Sequence, residues 1–202
     1  MLVALAACLA LASVLITGGR LANLALVPLR RGYLVPLALG AQIVVISLLP
    51  GAFAGLHEPV HIATYAALAV FLWSNRQLAG LKLIAAGAAG NAAAIIANGG
   101  VMPASAAALA RAGMTPDKGA EFANSAAMPD ANLSWLGDVF AIPASWPLTN
   151  VFSLGDLLIT IGLTITLHSC SRSRLASALS RTRNERRSPK PDRAPAGELE
   201  PA

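Results

Sequence analysis

The chain has 202 residues, of which 55% are apolar and only 12% charged, and it carries a formal net charge of +5. Ordinary soluble domains hold ~25% charged residues, so this composition excludes one. The excess positive charge sits in the C-terminal tail. With no aromatic or glycine pattern among its arginines, it points to an anionic lipid surface and away from nucleic acid.

Five apolar stretches, at about 2–17, 33–49, 59–74, 81–97 and 153–168, each suit a membrane span. At ~15–18 residues they would be ~22–27 Å long, near the short end for a ~30 Å hydrocarbon core. If they alternate across a bilayer, all of the 15 Lys and Arg except Arg111 and Lys118 fall on one face. That is the positive-inside pattern, with the N-terminus outside and the C-terminus in the cytoplasm. A soluble all-α protein with buried helices leaves this sorting unexplained. The expected fold is therefore all-α: a multi-pass cell-membrane protein with five transmembrane helices and a partly helical exterior cap. Residues 1–170 form its membrane domain, and 171–202 form a disordered basic cytoplasmic tail.

The first stretch lacks a basic n-region and is followed by Arg20 and Arg30, so it is expected to be a retained span rather than a signal peptide. Cys8 lies mid-span and Cys170 at the inner end of the fifth, so their depths differ by ~10 Å or more, too far for a disulfide. The loop GGRLANLALVPLRRG suits an interfacial turn ended by Pro28. In the fourth stretch Ala85, Ala89, Ala93 and Ala97 make a small stripe at four-residue spacing, with Gly87 and Gly90 beside it. Such a stripe lets helices approach closely in lipid.

Residues 98–152 form the long exterior segment, punctuated by Pro103, Pro116, Pro129, Pro143 and Pro147. The run 104–112 is expected to be a short helix, and a second is expected to start at Thr115 with Pro116 in its first position. A structureless segment of this length is uncommon, which favours an ordered cap.

HEPVH at 57–61 matches the H-E-x-x-H form of zinc peptidases, which needs both histidines on one helical turn. Pro59 disfavours a helical Glu58, so His57 and Glu58 should precede the helix, and neither a metal site nor any cofactor is assigned. No Ser-His-Asp arrangement can be assembled from Ser153, His57 or His61 and Asp156, so no catalytic residue is assigned.

The stronger signal is depth. Gln42, Tyr65, Asn91 and Asp156 all fall ~6–10 Å below the outer surface at 1.5 Å per residue. Polar groups in hydrocarbon find one another, so these residues, with Asn98 at the end of the fourth stretch, form a candidate outer polar cluster. Ser153 is a candidate N-cap for the fifth helix, and Asp156 suits its positive end.

NGGVMP at 98–103, WLGD at 135–138 and NVFSLGD at 150–156 resemble a family of bacterial membrane proteins known only as a domain of unknown function. That family occurs in high-GC Gram-positive bacteria and clostridia. The resemblance covers most of 1–168 and rests on Asn75, Asn91, Asn98, Gly99, Gly100, Met102, Pro103, Leu136, Gly137, Asp138, Asn150, Ser153, Gly155, Asp156 and Gly162. It implies a membrane fold with an outer-side location and assigns no activity. The expected function is a non-enzymatic membrane component whose outer cluster binds a small ligand or docks a partner. The alternatives are a transporter subunit and an intramembrane hydrolase. Expected partners are the bilayer, anionic lipid for the tail, and a membrane protein or a second copy.

Overall fold

The apolar stretches do form helices, and local signals set their ends. A computed structural model describes residues 2–44, 57–114, 125–128 and 130–178. Its main helices are α1 (Leu2–Ile16), α2 (Leu34–Gln42), α3 (His57–Ser74), α4 (Leu81–Ala97), α5 (Ala106–Arg111) and α6 (Leu154–Cys170). Short 3-10 turns occupy Leu21–Leu26 and Ser134–Leu136. Ser105 caps α5 by accepting from the Ala108 N–H, and Ser153 caps α6 by accepting from the Asp156 N–H.

The expected five-span, all-α membrane fold is corrected on two counts. Among the described residues, no helix is both long and apolar enough to cross a membrane. α1, α4 and α6 have 15, 17 and 17 residues, ~22–26 Å against a ~30 Å core. α2 has only nine residues, and α3 reaches 18 but opens on the polar HEPVH. Among the described residues the protein also contains two two-stranded sheets. β1 (Met102–Ala104) pairs in parallel with β2 (Ser125–Ala127), and β3 (Phe140–Ile142) pairs antiparallel with β4 (Asn150–Phe152). Both sheets lie between α4 and α6, so the cap is mixed α and β.

Two smaller expectations also change. The backbone is helical from His57, so His57 and Glu58 belong to α3; Pro59 is the third residue of that helix, within a first turn that needs no N–H donors. The helix expected at Thr115 lies outside the described residues.

α6 is the hub of the packing. It runs antiparallel to α4 and also packs α1, while α2 pairs with α3. The α4–α6 contact follows a seven-residue period. Gly80, just before α4, faces the Gly162 carbonyl, and Gly87 faces that of Gly155. Ala94, seven residues further, is fully buried. A Cβ added at Gly80, Gly87, Gly155 or Gly162 would run into the opposite backbone, so only glycine permits this approach. A seven-residue small-residue seam is the geometry of two helices crossing at a shallow angle. The four-spaced alanine stripe is not this seam. Ala89 and Ala93 on it are exposed.

The end of the bundle where α1, α3 and α6 finish and α4 begins is tied by side chains. His168, buried on α6, bonds Ser13 Oγ of α1 at 2.9 Å and Ser173 Oγ at 2.8 Å. The Ser171 carbonyl accepts from the Arg20 N–H at 3.0 Å and from Asn23 Nδ2 at 3.3 Å. Asn75 accepts the Arg30 N–H at 2.9 Å and donates to the Arg30 and Phe71 carbonyls at 2.8 Å each. Arg20, Arg30, Arg31, Arg76, Lys82, Arg172 and Arg174 all belong to this end.

The seam yields a signed test on one helix. Gly87→Ala should destabilise by ~1–3 kcal/mol, because overpacking against backbone cannot be relieved. Gly90→Ala should be neutral or stabilising by up to ~1 kcal/mol, since Gly is a poor helix former and the added Cβ meets only Leu136 Cδ2 at 3.6 Å. Denaturant unfolding of the two variants measures both; equal effects would show that Gly87 is not at a close crossing.

Candidate functional site

At the opposite end of the seam, α4 and α6 are joined by a closed ring of hydrogen bonds. Ser153 Oγ donates to Asn91 Oδ1 at 2.8 Å, and Asn91 Nδ2 donates to Asp156 Oδ1 at 3.0 Å. The second carboxylate oxygen, Oδ2, accepts the Ser153 N–H at 3.1 Å, while Ser153 Oγ accepts the Asp156 N–H at 3.0 Å. Ser153 and Asp156 thus form a capping box with Asp in the Glu position, and Asn91 closes it from the neighbouring helix. Ser153 is fully buried. Its one proton goes to an amide carbonyl rather than to a base, so the hydroxyl is a structural joint and not an activated nucleophile.

Gly155 explains how the ring closes. A Cβ there would collide with Asn91 Oδ1 and with the Gly87 carbonyl. The same glycine therefore permits the helix approach and leaves room for the amide.

Of the five residues expected in the polar cluster, Asn91 and Asp156 bond directly to each other. Asn98 makes a separate joint: its Nδ2 donates to the Ala94 and Asn132 carbonyls at 2.7 and 2.8 Å, and its Oδ1 accepts the Asn132 N–H at 2.9 Å. Tyr65 lines a groove between α3 and α4. Gln42 ends α2, and its side chain lies outside the described residues, as do the side chains of His57, Glu58 and His61.

The motif positions serve the cap. Gly99 and Gly100, at φ of +67° and +93°, turn the chain out of α4 in a left-handed conformation that suits glycine. Met102 and Pro103 follow as buried β1 residues. The Pro103 carbonyl accepts the Asp138 N–H at 2.8 Å, and the Asp138 carbonyl accepts the Ser105 N–H at 3.0 Å. Gly137 lies so close to the Pro103 carbonyl that a side chain there would clash. Asp138 is buried. Asn150 begins β4 opposite Ile142, where Phe140 stacks on Phe152 at 5.4 Å between ring centroids. A cavity of about 520 Å³ opens beside the Pro103–Asp138 contact, lined among others by Pro103, Ser105, Met128, Ser134, Trp135 and Val139.

In the sequence His168 gives no signal beyond closing an apolar stretch. A lone histidine in apolar surroundings needs partners for both ring nitrogens, and Ser13 and Ser173 supply them. Partial burial pushes the pKa of the neighbouring Cys170 thiol up, which favours its protonated form.

Fold and site define a helical protein with a glycine-seamed core and a mixed α and β cap. The chain belongs to a family of unknown function, DUF5317, which matches residues 26–168. α1 precedes the matched region. No curated protein and no solved structure matches the chain.

The ring predicts an order of mutational cost. Asp156→Asn loses chiefly the charge–dipole contribution of ~0.3–1 kcal/mol. Ser153→Ala removes the cap, worth ~1 kcal/mol, and also strips the Asn91 carbonyl of its donor, a further ~1–3 kcal/mol. Equilibrium unfolding should therefore rank Ser153→Ala well below Asp156→Asn in stability. The reverse order would contradict the ring.

Proposed function

We propose that the chain is a non-enzymatic component associated with the cell membrane, which uses its capped end to bind a small ligand or dock a partner. The observation that carries this is the cap cavity. The NGGVMP and WLGD segments, far apart in sequence, are laddered together at Pro103, Ser105 and Asp138 and form one wall of it. Mostly apolar lining with a few polar groups is the usual make-up of a small-molecule site. The Asn91–Ser153–Asp156 ring satisfies its own hydrogen bonds, so its role is to hold the platform while binding falls to the cavity above.

Contact with lipid is supported by an inverted distribution of bulk. The buried core is largely Ala and Gly, whereas Leu9, Ile16, Leu37, Ile62, Trp73 and Ile96 are all more than 60% exposed. Apolar surface on this scale requires a lipid, protein or second-copy neighbour. Contact with lipid does not require any one helix to cross.

Native mass spectrometry of protein released gently from its host membrane tests the cavity. Wild-type protein should carry a small-molecule adduct or a bound polypeptide. Ala131→Trp, which fills the cavity from its rim, should lose either one while unfolding at the same temperature. An adduct or partner retained in full by Ala131→Trp would place binding elsewhere.

A further inference from the structure

α3 and α4 are joined by a tight turn at 75–80, yet they lean on different partners, α3 on α2 and α4 on α6. Between them lies an open groove of about 720 Å³. One wall holds Tyr65, Leu68, Leu72 and Trp73 of α3, while the α4 wall is Leu81 and Lys82 followed by alanines alone. From Tyr65 to Arg76 the groove runs ~16 Å at 1.5 Å per residue. Its two cations, Arg76 and Lys82, sit together at the turn end.

Arg76 is held in place there. Its guanidinium lies 4.4 Å from the Trp73 ring centroid, and its Nη1 donates to the Trp73 carbonyl at 3.1 Å. That leaves most of its donors free for an anion. Arg31 adds charge nearby, bonding Ser74 Oγ at 3.3 Å. The acidic residues within the described segments are Glu58 at the far end of α3, Asp130 and Asp138 in the cap, and Asp156 at the far end of α6. No described carboxylate belongs to the turn end, so the two cations lack a counter-charge among the described residues.

We propose that this groove is a site for an anionic phospholipid, one acyl chain lying between α3 and α4 with the phosphate on Arg76 and Lys82. An apolar slot with cations at one end only is complementary to a molecule that is apolar along its length and anionic at its tip. A guanidinium and an ammonium together suit a phosphate, one by its fork and the other as a point charge. The proposal rests on the membrane-contact half of the function proposed above and is independent of the cap cavity.

Trp73 lines the groove and reports on it. In a Trp135→Phe, Trp146→Phe background it is the sole tryptophan, and both replaced side chains are exposed. The protein is placed in phosphatidylcholine vesicles carrying a minor fraction of chain-brominated lipid, either brominated phosphatidylglycerol or brominated phosphatidylcholine. Brominated phosphatidylglycerol should quench Trp73 at least twofold more at equal mole fraction. Arg76→Gln with Lys82→Gln should bring the two to parity, and both replacements are on exposed residues. Equal quenching by the two lipids in the parent would overturn the site while leaving membrane contact intact. Absence of quenching by either lipid would overturn membrane contact itself. A preference that survives the double substitution, or that free brominated fatty acid matches, would overturn the phosphate assignment.

Discussion

Everything in this protein hangs on the backbone-to-backbone approach of α4 and α6. Gly80 and Gly87 meet Gly162 and Gly155 with no side chain between them, and this closeness positions the joints at both ends of α4 and α6. It brings the Asn91 amide within hydrogen-bonding distance of the α6 N-terminus, which a wider spacing would place out of reach. It also fixes where α4 ends, and therefore where Gly99 and Gly100 launch the cap. At the other end it places His168 beside Ser13, and so secures α1. In a core this poor in large side chains, stabilisation comes from dispersion at short range and from satisfied polar groups rather than from buried bulk.

That economy separates structural polar groups from available ones. Asn91, Ser153 and Asp156 face inward and use their hydrogen-bonding capacity on one another, as do Asn98 with Asn132 and Asn75 with Arg30. Each pair or ring joins two segments distant in sequence. The described cationic groups are distributed differently, all but Arg111 of the cap gathered at the turn end with no described carboxylate among them. Among the described residues, the cap cavity and the α3–α4 groove stand apart from these self-satisfied joints.

The sequence made some of this legible and misled elsewhere, for identifiable reasons. Ser153 and Asp156 could be read as a helix start, because capping depends on residues three apart in the chain. The Asn91–Asp156 contact could be anticipated from depth, since two polar residues at one level of a helical layer have few other partners. The seam was missed because a four-residue alanine stripe is more conspicuous than glycines spaced by seven. Glycine spacing becomes informative only when two helices are compared, Gly80 and Gly87 against Gly155 and Gly162. The span assignment failed because mean apolarity stood in for length. Among the described residues α2 is an α-helix of nine residues, and α3 spends its first turn on HEPVH. The short strands were invisible for a related reason: three residues carry no periodicity, and β1 finds its partner β2 some twenty residues away.

Native-state hydrogen exchange tests most directly whether the α4–α6 seam is the part on which the rest depends. The slowest amides should be those of α4 and α6 around Gly87, Asn91, Gly155 and Ile159, exchanging only through global unfolding, with α2 and α3 opening earlier and independently. If the α2–α3 pair proved the most protected, or if α4 and α6 exchanged at different rates by separate openings, the seam would not be the structural core.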